Sequence, residues 1–543
     1  MSLKIFLAQS PDEIINCAEA TKLCIVPLDL ATQLFCIKKS LNYVNLSNYL
    51  DNKFHELSIK KLSAYDAYLE YLSTVSLVGE DLVSFIRFSL CQIFFIEEII
   101  NALDYKHGLV DIHTSGWEIQ TKNLYSDENY TASEITKFLF KERVTELNKC
   151  VKNSSADIKA FLSIDTKKVD LLINSRGYNM HRLAHAAKQV NLKVGIIPSD
   201  YNLPAIIKSF SMGIHVPRCK YGAASYQSNL KLDDVNLPDG EVGRLLGKFL
   251  VRKENNFYNI AESCVAVQEA VSKGAPRRVY SWSMRGTDGH LLKFSRANGI
   301  QAFCIPHGTV SKGYTKGDTV YKQLIANAVF SGECTHLAIQ SKVANAALEN
   351  IKFIGKPIVT GNLIFAETDR EEARHLLYAV TLKGFYGMQF WGVEMYYEFI
   401  ENLKSLEKIS NILKLPVLVN LHPSAHSLIQ NLQELFPALK FSINGVSLGL
   451  KNAIATISYS STSIEDSLNS RVPVILFDRW GRYKHCEAID IANSSVYGAV
   501  YYASEEQHLI DAIKLVTDPD FKADFYEYVY EGRANDNFYN LLN

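Results

Sequence analysis

Two stretches in the C-terminal half put phosphate-binding residue types where apolar runs stop. In AIATISYSSTSIED, Ile454 to Ile457 read as a strand, Ser458 to Thr462 as a hydroxyl-rich turn, and Ser463 onward as a helix. Thr462 and Glu465 have the T-x-x-E spacing of a capping box, which predicts where that helix starts. Exposed N–H groups at such a start, the hydroxyls of Ser460 and Ser461 and the positive end of the helix dipole could together hold a phosphate. An ordinary capped helix without a ligand has the same spacing. In PVLVNLHPS a buried strand ends at His422 and Pro423, which predicts an imidazole at the carboxyl edge of a sheet, within reach of a ligand phosphate. A packed His-Pro turn is the plainer alternative. Both strand ends fall in one α/β series and could open into one crevice.

Four further residues could carry chemistry. His307, in QAFCIPHGT, follows a predicted strand and can accept a proton near neutral pH as a general base. Asp288, in SWSMRGTDG, stands at a strand-to-helix transition and could act as base or nucleophile, although capping a helix is the commoner use of Asp there. Arg285 beside it could meet an acidic sugar or acceptor, as could Arg176 in INSRGYN, where Gly177 permits close approach. Solvation at the surface is the alternative for either arginine.

The elements that must position these residues alternate short β-rich runs with helical patterns, as in parallel α/β layers. LKIFLA, KLCIVPL and NYVNL read as N-terminal strands, and residues from about 57 to 103 as a helical insertion. The region 104–165 shows no clear period. VDLLINS, KVGIIP, RRVYSWS and QAFCIP then supply strands, with helices at Asn179 to Val190 and Gly289 to Ala297. A second series runs from HLAIQ through HLLYAVTL, LPVLVNLHPS, LKFSI, AIATISYSS and VPVILFD. Two Rossmann-like domains meeting near residue 330 are the economical reading, with ligands beyond the carboxyl ends of the strands.

Composition limits the partners. The chain has 543 residues, enough for two or three cores. Lys plus Arg (57) almost cancel Asp plus Glu (58), so no field advertises nucleic acid. The ten cysteines show no C-x-x-C pair and read as reduced, buried thiols. The N-terminus lacks a signal-peptide pattern, and the apolar stretch from Phe85 to Ile100 is interrupted by Arg87, Gln92, Glu97 and Glu98, so a cytoplasmic protein is expected. No persuasive D-x-D motif or carboxylate cluster stands out, which predicts chemistry without metal or other cofactor.

NLHPS followed by SYSSTSIED resembles the HP and serine motifs of bacterial CMP-sugar transferases, including sialyltransferases, polysialyltransferases and the Kdo transferases of capsule and lipopolysaccharide synthesis. The resemblance lies mainly in residues 277 to 480. It implies a GT-B fold with an acceptor-side domain over 1–330 and a nucleotide-sugar donor domain over 331–543. It also implies donor phosphate contacts from His422, Ser460 and Ser461, with Pro423, Thr462 and Glu465 in the same donor nucleotide site. The implied donor is a CMP-linked ulosonic acid, and the acceptor a bacterial surface glycan, free or lipid-linked, with peripheral association at the inner membrane face. The acidic pair of that clan is absent, and Pro306, His307 and Gly308 stand in its place. Two other readings remain at this stage: a CDP-polyol phosphotransferase of teichoic-acid type, and a noncatalytic glycan-binding protein of the same fold.

Overall fold

Runs such as Leu171–Ile173 and Val474–Phe477, rich in branched apolar residues, are buried on both faces, and every strand pairing they enter is parallel. The computed structural model describes residues 2–49, 60–74, 79–116, 118–120, 132–147, 151–153, 168–175, 178–198, 235–306, 308–309, 311–315, 318–319, 322–323, 326, 330, 332–379, 394–459, 461–479, 481, 484–494 and 496–542.

The N-terminal sheet joins β1 (Lys4–Ala8), β2 (Cys24–Pro27), β3 (Asp111–Thr114) and β5 (Val144–Glu146) in the order β2-β1-β3-β5, while β4 (Glu118–Gln120) pairs with β6 (Val151–Asn153). The middle sheet contains β7 (Leu171–Ser175), β8 (Val194–Pro198), β9 (Arg278–Ser281), β10 (Gln301–Cys304), β11 (Gly332–Ile339) and β12 (Phe353–Val359), ordered β12-β11-β10-β9-β7-β8. The C-terminal sheet contains β13 (His375–Ala379), β14 (Val417–Asn420), β15 (Lys440–Ser442), β16 (Ala453–Ser458), β17 (Val474–Phe477), β18 (Ile489–Asp490) and β19 (Val500–Ala503). Its order is β15-β14-β13-β16-β17-β19-β18.

The last two orders are doubly wound. In each, the chain leaves the first strand toward one edge and then returns to its other side. The reversal falls between β7 and β9 in the middle sheet and between β13 and β16 in the C-terminal sheet. The fold class is therefore α/β with two Rossmann-like units, the GT-B type of architecture expected from the sequence.

Three expectations need correction. Strands β11 and β12 pair with the middle sheet, so the change of sheet falls between residues 359 and 375 rather than near 330. The final helix, Ala534–Leu542, also returns to the middle sheet, because Phe538 and Leu542, four residues apart, bury themselves with Leu171, Ile173 and Leu183. The chain thus crosses between the doubly wound units twice. NYVNL forms no strand: Tyr43 makes only an isolated bridge to Ile25, and the Asn45 side chain accepts bonds from the Ser47 amide at 3.2 Å and hydroxyl at 2.8 Å, drawing Leu46–Asn48 into a short 3-10 turn.

The helical insertion is present as Asp66–Thr74 and the 29-residue helix Gly79–His107, but it lies between β2 and β3 of the separate N-terminal sheet. Lys61 pairs with Glu97 at 2.8 Å and with Glu98, while Phe85, Ile86, Phe95 and Ile99 face the core. Among the described residues no helix is long and apolar enough to cross a membrane.

Candidate functional site

Parallel pairing puts the carboxyl ends of β13, β14 and β16 on one edge of the C-terminal sheet, with β14 and β16 flanking β13. The two sequence motifs therefore share an edge. His422 lies two residues beyond the end of β14 and is exposed. Pro423 opens the short 3-10 segment Pro423–Leu428, and the His422 carbonyl accepts the Ala425 amide at 2.9 Å.

Beyond β16 the turn is built from hydroxyls. Ser458 ends the strand with its Oγ buried and without a hydrogen-bond partner. The Ser461 hydroxyl accepts the Ser463 amide at 3.3 Å, and Ser463 in turn donates to the carbonyl of Ala379, the last residue of β13, at 3.3 Å. The turn is thereby fixed across the reversal point of the sheet. Ser467 ties the following helix to β16 by donating to Thr456 Oγ1 at 2.7 Å.

The capping box is not formed. Thr462 occupies the N-cap with helical backbone angles, φ −62° and ψ −16°, and makes no side-chain cap bond. Glu465 points elsewhere: both its oxygens lie 3.0 Å from His485 Nε2, in a pair whose side chains are 0% and 6% exposed. The helix Ser463–Asn469 is only seven residues long and carries Glu465 and Asp466 in its first turn, so it offers a phosphate less dipole than the sequence reading supposed. Asp466 accepts the Ala366 amide at 2.7 Å, and desolvation, with the neighbouring Glu465 charge adding to it, pushes its carboxyl up to about 7.

The corresponding edge of the middle sheet carries the other candidates. Asp288, in the first turn of the helix Gly286–Ala297, accepts the Ser281 hydroxyl at 2.5 Å and is 7% exposed, so its carboxylate is turned into the protein. Arg285 precedes that helix, half-buried, with its guanidinium 5.8 Å from the Trp282 ring centre. Ser283, between them, is buried with an unpartnered hydroxyl. Arg176 follows β7, His307 follows β10 and Ser460 belongs to the serine turn; all three lie outside the described residues.

The two edges meet. A Cβ added to Gly308, after β10, would lie 2.8 Å from Thr462 Cγ2, after β16. Gln340, just beyond β11, holds the approach: its Nε2 donates to the Pro306 carbonyl at 2.7 Å, and its Oε1 accepts the amides of Leu363 and Ile364 at 3.2 Å. Pro306, Gly308, Thr309, Leu337 and Gln340 help to line a cavity of about 20 Å³, room for about one water rather than a sugar. Sequence reasoning missed Gln340 and the Glu465–His485 pair. Their partners lie 20 to 34 positions away along the chain, a separation that no local spacing reports.

No family model and no curated protein matches the chain. Solved structures similar to it include a Methanocaldococcus jannaschii UDP-GlcNAc 2-epimerase in complex with UDP-GlcNAc and UDP, at 13% identity and a TM-score of 0.40, covering 69% of this chain and 98% of that one. An S. aureus MnaA–UDP structure is similar at 12% identity and 0.39, covering 66% and 90%. A glycosyltransferase from Rickettsia africae is similar at 11% and 0.39, covering 69% and 93%.

Proposed function

We propose that the chain is a GT-B glycosyltransferase that takes a sugar from a nucleotide-activated donor held at the carboxyl edge of the C-terminal sheet. The observation that carries this reading is that His422 and the serines Ser458 and Ser461 stand at the carboxyl ends of the two strands flanking β13, on the sheet edge that holds the reversal point where doubly wound sheets bind ligands. On this reading His422 and the serine hydroxyls bind the donor phosphate and stabilise the negative charge that grows on it as the glycosidic bond breaks.

The motif resemblance favours a CMP-linked ulosonic acid, of Kdo or sialic-acid type, as donor and a bacterial surface glycan as acceptor. His307 and Asp288 are the candidate proton acceptors. Asp288 is 7% exposed and turned into the protein, which makes His307 the first to test.

The test is a thermal-stabilisation screen with CMP, CDP, UDP and GDP, because a ligand that binds only the folded state raises the melting temperature. CMP is expected to give the largest shift. A UDP preference overturns the ulosonic-acid assignment and keeps a nucleotide-sugar enzyme. A CDP preference with polyol phosphate transfer supports the phosphotransferase alternative, and no shift with any nucleotide sinks the donor site.

A further inference from the structure

We infer that the β10–β11 connection is a latch that fixes how the two doubly wound units meet, with Lys322 as its anchor, Asp318 as its counter-charge and Gly308 as its bearing surface on the serine turn. This rests on the reading that both carboxyl edges serve one site, and it makes Lys322 and Asp318 positioning residues for that site.

The connection belongs to the middle sheet, since β10 and β11 pair there, yet its polar contacts reach across. Lys322 is 5% exposed and its ammonium has three acceptors: the Lys312 carbonyl at 2.8 Å, Asp318 Oδ2 at 2.9 Å and the Lys484 carbonyl. The first two belong to the connection. The third lies beyond β17 in the C-terminal unit. An ammonium has three protons, so this one is fully used, and one of its bonds spans the two units.

Asp318, 2% exposed, also accepts the Tyr314 amide at 3.1 Å, and the backbone of Lys484 favours its charged form. The Tyr314 ring has two cations near it, with Lys322 Nζ 5.3 Å and Lys484 Nζ 4.9 Å from its centre. Next to Lys484 comes His485, bound to Glu465 on the helix that opens at Thr462. The latch and the Gly308–Thr462 approach are therefore two contacts of the β10–β11 connection with neighbouring segments of the C-terminal unit, which the His485–Glu465 pair joins.

A buried ion pair is weak support for stability and costs desolvation. Desolvation does raise the Asp318 pKa and lower that of Lys322, so an apolar pair would pack here more cheaply. What the charged pair adds is direction: the ammonium must find the Lys484 carbonyl, which sets the register of the two edges.

Amide hydrogen exchange tests the latch without any donor. Lys322→Met with Asp318→Asn removes both charges together and so leaves no lone buried ion. Exchange at residues 308–315 and 484–486 is expected to rise about ten-fold or more while the sheets stay protected. Gly308 has no left-handed backbone angle, so Gly308→Ala adds only a methyl group against Thr462. It should open the same amides, and Thr462→Ser, which removes Cγ2, should close them again. Unchanged exchange in the charge-free pair, or a Gly308→Ala defect that Thr462→Ser does not relieve, overturns the latch. If the charge-free pair fails to fold, the Gly308–Thr462 comparison decides. Failure of the nucleotide screen would sink the donor site and with it the positioning role of Lys322 and Asp318, and would leave the contact between the two units standing.

Discussion

At the scale of single residues, the site is set by which polar atoms are already used. Glu465 and His485 satisfy one another in a nearly dry environment, so this glutamate is a buried structural group before it can be a ligand contact. His485→Leu would strand a carboxylate of zero exposure, and chemical denaturation should show a loss of about 3–5 kcal/mol. Replacing both residues by leucine should cost much less, since no charge is then left behind. A single and a double variant of equal stability would mean that the pair carries no such strain. His422 differs in burial: it is exposed, two residues beyond the end of β14. His422→Ala should leave the melting temperature within about 1 °C and weaken cytidine nucleotide binding by about 1–3 kcal/mol, the size of one lost phosphate hydrogen bond. Calorimetry showing equal affinity in the two proteins removes His422 from the donor site.

At the scale of elements, the serine turn shows what sequence spacing can and cannot report. The strand, turn and helix of ATISYSSTSIED lie where the apolar run and the following pattern put them, because burial of Ile457, Ile464 and Leu468 is decided locally. The cap is not decided locally: T-x-x-E allows a capping box, but His485, reached through a tertiary contact, outcompetes the backbone for Glu465. Thr462→Ala should therefore cost only a few tenths of a kcal/mol, well under the 0.5–2 kcal/mol of a true N-cap. A loss above about 1 kcal/mol in thermal denaturation would restore the capping box. The same division runs through the chain. Strands such as Val417–Asn420 and Val474–Phe477 were legible because they are short, apolar and bounded by turns. Sheet membership was not: β11 and β12 read as the start of a new series, and only their pairing onto β10 assigns them to the middle sheet. The final helix is a similar case, since the amphipathic pattern of Phe538 and Leu542 says that it packs but not on which sheet.

At the scale of the whole molecule, the first crossing segment between the doubly wound units is tied to the helix behind the serine turn. Ala366 donates to Asp466, the Thr368 amide to Ser470 Oγ at 3.1 Å, and Arg370 to the Arg471 carbonyl at 2.7 Å. The same segment is held to the final helix by Glu367, which accepts the Ala534 amide at 3.0 Å, and by Asn537, which donates to the Asn362 carbonyl at 2.7 Å, so both crossings are laced together. Protonation can loosen or tighten this arrangement, because desolvation raises Asp466 from an ordinary 3.8 to about 7. In the N-terminal sheet, burial raises Glu13 from 4.5 to about 8, against bonds from the Gln9 amide at 2.8 Å and the Ser115 hydroxyl at 2.5 Å. Both folded pKa values lie above the unfolded ones, so the folded state binds protons more tightly. Their contribution to stability is fully present below about pH 4. It is lost as pH rises through about 7 for Asp466 and about 8 for Glu13. Carboxylates with lowered pKa act in the other sense: Glu434 beside Lys38 and Glu506 beside Lys408 weaken the fold only as pH falls. The difference between proteins isolates the effect. Asp466→Asn and Glu13→Gln should each gain stability relative to the unaltered chain as pH rises from 5 to 8, in urea melts at constant ionic strength. Parallel stability curves for the unaltered chain and both variants across that range would show that neither carboxyl holds its proton in the folded protein.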